Sequence, residues 1–251
     1  CNETDLLPLG AGTERIEGAL TAAFPQVPVL RVDRDSTRKR GALATMLEDL
    51  DDGHAAILVG TQMLAKGHDL ANLTLAVLVD VDGGLFSPDF RGPERLAQLV
   101  IQVAGRAGRG RKSGLVLLQT HHPEHELLQG LLGGGYAAFA ARELDERQAL
   151  GFPPYAALAL LRAEAGSQEA LDDFLRAARS VFDGQAEVAV RGPLPAPMAR
   201  RAGMLRAQLL LESPRRAPLQ ALLAERLDAL YDLREARRVR WSLDVDPVEL
   251  G

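Results

Sequence analysis

Two arginines and a glutamine stand at helical spacing in Gln102-Val103-Ala104-Gly105-Arg106-Ala107-Gly108-Arg109. Positions i, i+4 and i+7 place Gln102, Arg106 and Arg109 on one face of a helix. Gly105 and Gly108 interrupt that helix, each costing about 1 kcal/mol relative to alanine. A break in local preference beside two guanidiniums marks a place where a ligand approaches the backbone closely. Forked guanidiniums suit a polyphosphate or another oxyanion held bidentately. The competing reading is a solvated basic helix end, which the helix dipole favours.

A second candidate is the run Gly60-Thr61-Gln62-Met63-Leu64-Ala65-Lys66-Gly67-His68-Asp69, which follows the aliphatic stretch Ala55–Val59. Thr61 is placed to cap a short helix, leaving backbone N–H groups aimed outward as an anion cradle. Gly67 can close that helix in the left-handed conformation and present Asp69 to a ribose hydroxyl or a metal-bound water. An ordinary strand–turn–helix connection is the plainer alternative.

The elements that must position these residues alternate. Thr13–Phe24, Thr37–Leu50 and Glu94–Val103 have helical periodicity; Val29–Val32, Ala55–Val59, Leu75–Val79 and Gly114–Gln119 are short aliphatic runs. Such runs have the look of strands covered on both faces. The alternation predicts a doubly wound parallel sheet, with ligands at the carboxyl ends of its strands. Leu127–Leu150 reads as helical, broken at Gly133-Gly134-Gly135, and Gly151-Phe152-Pro153-Pro154 marks a domain boundary. Beyond it come strand Ala157–Ala165, helix Gln168–Phe182, strands Glu187–Val190 and Arg206–Glu212, helix Pro218–Leu230 and strand Val239–Val245. This βαββαβ order predicts a small α+β domain with an antiparallel sheet.

Composition narrows the class. The 251 residues are 47% hydrophobic and 25% charged, ordinary values for a soluble globular protein. No apolar run reaches the roughly 18 residues of a membrane span, and no basic–apolar leader opens the chain. A single cysteine excludes an internal disulfide and fits a reducing, cytoplasmic setting. Because Cys1 rather than methionine comes first, the chain reads as a piece of something longer. The net charge of −5 is unevenly spread: residues 151–251 hold 14 arginines, no lysine and 14 acidic side chains. Arg200, Arg201 and Arg206 flank a turn at Gly203 and are the better candidates for nucleic-acid phosphates, salt-bridged solvated surface being the alternative.

Other features have plain explanations. His121-His122-Pro123-Glu124-His125 does not have the spacing of a helical metal pair, and turn duties suffice. Trp241, the sole tryptophan, is assigned to core rather than to base stacking. Asp80-Val81-Asp82 reads as a strand-end turn, since no phosphate loop accompanies it.

Taken together, Thr61 followed after five residues by Gly67-His68-Asp69, and Gln102-x-x-Gly105-Arg106-x-x-Arg109, resemble motifs V and VI of superfamily 2 helicases. Further segments resemble one branch of these, the PriA family of primosomal replication-restart helicases. They are Gly10-Ala11-Gly12-Thr13-Glu14-Arg15, Val59 to Asp69, Asp82 with Pro88-Asp89-Phe90-Arg91, Gly151-Phe152-Pro153-Pro154, Gly192 to Pro197 and Val239 to Pro247. The resemblance covers essentially the whole chain.

It implies that residues 1–9 end an upstream cysteine-rich module, 10–150 form the RecA-like second motor lobe, and 151–251 form a C-terminal domain binding single-stranded DNA. By the same resemblance Arg106 and Arg109 are arginine fingers for ATP bound with Mg2+, and Gln102 lies beside them. Gly67 and Asp69 meet the nucleotide, Thr61 and Gln62 face DNA, and Cys1 is the last ligand of a zinc site whose partners lie upstream. One cysteine cannot hold a tetrahedral zinc alone. The implied partners are single-stranded and forked DNA, other primosome proteins and single-stranded-DNA-binding protein.

No Gly-x-x-x-x-Gly-Lys-Ser/Thr loop occurs in the chain, so it is expected not to hydrolyse ATP by itself. A non-hydrolysing DNA-binding scaffold that keeps the helicase fold remains the alternative. A small-molecule enzyme is disfavoured, since no general base or nucleophile converges with the arginines.

Overall fold

The structure, a computed structural model, describes residues 12–32, 55–61, 73–107 and 113–250. Cys1, Gln62, Gly67, Asp69, Arg109 and the expected helix Thr37–Leu50 lie outside these residues. The chain is mixed α/β and divides into two compact units. One contains residues up to Leu85 with Arg95–His125; the other contains Phe86–Glu94 with Glu126 onward. No helix among the described residues is long and apolar enough to cross a membrane.

In the first unit, α1 (Thr13–Ala23) precedes β1 (Val29–Val32), and β2 (Ile57–Gly60) pairs with β1 in parallel. β3 (Leu75–Leu78) pairs in parallel with β4 (Leu115–Leu118), Leu75 opposite Leu115 and Val77 opposite Leu117. A single helical turn, α2 (Asp82–Leu85), follows β3, and α3 (Gly92–Ala104) follows that. The expected doubly wound sheet is seen only in part. Among the described residues the parallel strands form two separate pairs. On one face of the second pair Leu75, Val77, Leu115 and Leu117 are 46–56% exposed. A short aliphatic run signals a strand, but nothing in its composition says how many of its faces are covered.

The second unit is built on a four-stranded antiparallel sheet of order β6-β7-β5-β8. Its elements are α4 (Glu126–Leu150), β5 (Ala157–Ala165), α5 (Gln168–Phe182), β6 (Ala189–Arg201), β7 (Met204–Ser213), α6 (Arg216–Tyr231), a 3-10 turn (Glu235–Arg238) and β8 (Arg240–Val245). α4 is interrupted at Gly135, whose φ of 69 and ψ of −167 suit glycine alone.

Ser167 caps α5, its hydroxyl accepting from the Ala170 N–H at 3.3 Å. From there Leu171, Phe174, Leu175, Ala178 and Phe182 recur at helical spacing and are buried. They meet Ala159, Leu161 and Ala163 of β5 and Leu209 and Leu211 of β7 in one core. The alternate residues of β5 point to the other face of the sheet. There Leu158 and Leu160 are also fully buried, and the C-terminal segment crosses near them. Asp246 N–H donates to Leu158 O at 2.9 Å, and Gln208 Nε2 donates to Leu250 O at 3.0 Å.

The expected strand Glu187–Val190 proves much longer, running to Arg201 through Pro193, Pro195 and Pro197. Prolines mask a strand in sequence, yet an edge strand tolerates them because its outward N–H groups need no ladder partner. Gly192 has φ 108, and a Cβ there would lie 2.8 Å from Gln208 O, so only glycine fits this irregular stretch.

Candidate functional site

Helix α3 ends at Ala104, and the chain continues as a hydrogen-bonded turn. Gly105 N–H donates to Ile101 O at 2.9 Å, and the N–H groups of Arg106 and Ala107 both donate to Val103 O at 3.0 Å. Gln102 and Arg106 therefore sit one turn apart on a continuing spiral, both half-buried. The expectation that Gly105 interrupts the helix is corrected: it stands in the closing turn. A Cβ at Gly105 would lie 3.3 Å from Ile101 O, so a side chain there would crowd the carbonyl that accepts its own N–H. Arg109 and Gly108 lie outside the described residues, as do Gly67, Asp69 and Gln62. Thr61 is exposed and follows the carboxyl end of β2 directly.

The carboxyl ends of β3 and β4 are tied together by Asp82. Its carboxylate accepts from the Thr120 hydroxyl and from the His121 N–H at 2.9 Å. These bonds, the Thr120 one first, hold the Asp82 carboxyl below its usual value of 3.8. The histidines that follow serve the same turn: His122 N–H donates to Thr120 Oγ1 at 2.9 Å and His125 N–H to His122 O at 3.0 Å. No group of metal-ligating side chains occurs among the described residues.

In the second unit, Arg147 is the centre of a cluster that the sequence did not disclose. It donates to Glu143 and Glu94, each at 2.9 Å, and lies 5.1 Å above the Phe90 ring. Phe90 stacks on Phe152 with centroids 5.3 Å apart, and Arg91 covers Phe90 at 5.3 Å. Burial pushes Glu143 above its usual 4.5, with Arg147 pulling the other way. The signal was present in Pro88-Asp89-Phe90-Arg91 and Gly151-Phe152-Pro153-Pro154, but only as motifs, since nothing local tells Phe90 that it faces Phe152.

The hairpin of β6 and β7 carries the predicted phosphate candidates. Arg200 and Arg201 are exposed at the end of β6, and Arg206 is half-buried on β7. Most arginines of this sheet unit are paired: Arg162 with Asp244, Arg191 with Glu212, Arg215 with Glu187, Arg216 with Asp246. The guanidiniums of Arg200, Arg201 and Arg206 make no ion pair among the described residues. Trp241, by contrast, is part-buried against the helices. Its ring lies 6.0 Å from Phe174 and 4.8 Å from Tyr231, a packing role.

An α/β unit with a Gln–Arg face at a helix end, followed by an antiparallel sheet with a basic hairpin, is the setting for the comparisons with known proteins. Residues 11–111 match the helicase conserved C-terminal domain, and residues 148–248 match the primosomal protein N C-terminal domain. A replication restart protein PriA from Haemophilus influenzae is 48% identical over 253 residues. The chain belongs to the PriA family. That alignment covers 100% of this chain and 34% of the relative. Proteins of the same name from Bacillus subtilis and Synechocystis are 35% and 39% identical, over 98% and 85% of this chain and 31% and 26% of their own lengths. The chain thus spans about a third of the relatives it matches, and aligns with the C-terminal part of the family.

Proposed function

We propose that the chain is the second motor lobe and C-terminal domain of a PriA-like ATP-dependent DNA helicase, acting in the cytoplasm to restart replication at stalled forks. In this reading residues 10–150 complete a RecA-like doubly wound lobe and residues 151–251 form the single-strand-binding βαββαβ domain. Single-stranded and forked DNA are its substrates. Other primosome proteins and single-stranded-DNA-binding protein are its partners.

The observation that carries the reading is the placement of Gln102 and Arg106 one turn apart at the end of α3, inside the segment that matches the helicase domain. Arg106 and Arg109 face the γ-phosphate of ATP held by the other lobe, and Gln102 orients beside them. Gly67 and Asp69 meet the nucleotide, while Thr61 and Gln62, past the end of β2, face the tracked strand. Two ligands then share one strand end, so closure on ATP shifts the DNA-contacting turn. ATP with Mg2+ is the substrate that binds across the lobes. The chain holds no phosphate loop and is inactive alone. Cys1 supplies at most one of four zinc ligands, so zinc, where bound, takes the rest from outside this chain.

The test is ATP turnover by the complete protein with and without DNA. Arginine fingers contribute about 10³–10⁵ in rate, and lysine cannot reproduce the planar fork. Arg109→Lys is therefore expected to reduce turnover by at least about 10³-fold. Near-normal turnover in that variant refutes the assignment. A complete wild-type protein that binds DNA without hydrolysing ATP favours the scaffold instead.

A further inference from the structure

The register of the antiparallel sheet brings together four charged residues from strands far apart in sequence. Arg206 on β7 opposes Glu164 on β5, and Glu164 opposes Arg240 on β8. Directly opposed residues share a face, and these lie on the one away from the helices, since Ala163, Ala165, Leu205 and Trp241 pack on the core side. Neighbouring strands are about 4.8 Å apart, so Arg206 and Arg240 stand about 10 Å apart with Glu164 between them. Arg201 joins the row through the hairpin turn: Ala202 and Gly203 both have positive φ, 49 and 81, the pattern of a tight two-residue turn. The result is an open cleft of about 410 Å³ lined by Glu164, Arg201, Ala202, Met204, Arg206 and Arg240.

We infer that Arg240, with Arg201 and Arg206, forms a single phosphate-binding cleft for single-stranded nucleic acid, and that Glu164 is the counter-charge which the incoming strand displaces. This rests on the reading that the hairpin arginines hold DNA, and adds a third strand and a regulating carboxylate to it. The charge count supports it: three guanidiniums face one carboxylate. Among the described residues that carboxylate pairs only with Arg240, at 3.6 Å, with Arg240 80% exposed. Arg201 and Arg206 have no carboxylate partner among the described residues. No aromatic ring lines the cleft, so it tracks the sugar–phosphate backbone without stacking on bases. Binding there is sequence-tolerant and strongly salt-dependent.

The experiment measures fluorescence anisotropy of a labelled oligothymidylate with the full chain over a range of salt concentrations. Arg240→Ala is expected to weaken binding several-fold and to lower the slope of log affinity against log salt by about 0.7, one single-strand phosphate contact. Glu164→Gln is expected to tighten binding several-fold, a gain that no misfolded variant would produce. Arg226→Ala makes the same charge change on α6 and is expected to leave binding unaltered. The inference is overturned if Arg240→Ala and Glu164→Gln both leave affinity and slope unchanged, or if Arg226→Ala matches Arg240→Ala. Should the triple variant Arg200→Ala, Arg201→Ala, Arg206→Ala still lose affinity in that case, the hairpin reading survives alone; should it not, both fall.

Discussion

In β5 nine consecutive residues are buried or half-buried, and Leu158, Leu160 and Leu161 expose 2% or less. In β3 and β4 the aliphatic residues alternate between half-buried and exposed, with Val77 51% exposed. Both regions have the same residue types and regular ladders. What differs is local completeness: the antiparallel sheet meets its own helices within one hundred residues, and its core closes on itself. The parallel pairs carry the strongest chemical motifs on their ends and flanking turns, and the described residues cover them only in part. The antiparallel sheet packs within its own unit, while the proposed nucleotide face and the basic hairpin both lie at element ends and turns, as expected when binding residues are positioned by a scaffold.

The sharpest way to break this contrast is to damage the closed core. Phe174 is fully buried beneath Trp241, and Phe174→Ala is expected to cost about 3–5 kcal/mol. Denaturant unfolding followed by Trp241 fluorescence reads it; a loss below about 1 kcal/mol would show that the sheet unit is not self-sufficient. Next comes the ionic cluster of the same unit. Arg147→Met leaves Glu143, 8% exposed, without its guanidinium, and is expected to destabilise by about 3 kcal/mol. Glu143→Gln in the same background is expected to recover part of that loss, because the orphaned charge is gone.

The smallest effect falls in the parallel unit. Asp82 is held below its usual 3.8 by Thr120 and His121, so its bonds stabilise the fold above that value. That contribution fades as pH falls through the lowered folded-state value. Asp82→Asn is thus expected to be less stable than wild type at neutral pH and to converge with it in strong acid. A difference independent of pH would contradict the assigned bonds.

Much of the fold was legible, for identifiable reasons. β5 and α5 are legible end to end because a short apolar run passing into the alternation Leu161-Arg162-Ala163-Glu164-Ala165 marks the strand, and helical spacing marks the helix after Ser167. β6 was not, because Pro193, Pro195 and Pro197 imitate a loop while lying on a sheet edge. The arginines show the same divide. Arg200-Arg201 and Arg215-Arg216 are both adjacent arginine pairs in the sequence, but Glu187 neutralises Arg215 and Asp246 neutralises Arg216, from 28 and 30 positions away. Only folding shows which cations stay unpaired. That Arg240 faces Glu164 is likewise visible only in the fold, as is the cluster around Arg147, whose partners come from three separate segments.

The central claim is that the Gln102–Arg106 face completes a nucleotide site supplied by the other motor lobe. Single-turnover hydrolysis of ATP by the complete protein carrying Arg106→Lys tests it most directly. The account predicts that ATP still binds while the chemical step slows by at least about 10³-fold. A rate within a few-fold of wild type would contradict it.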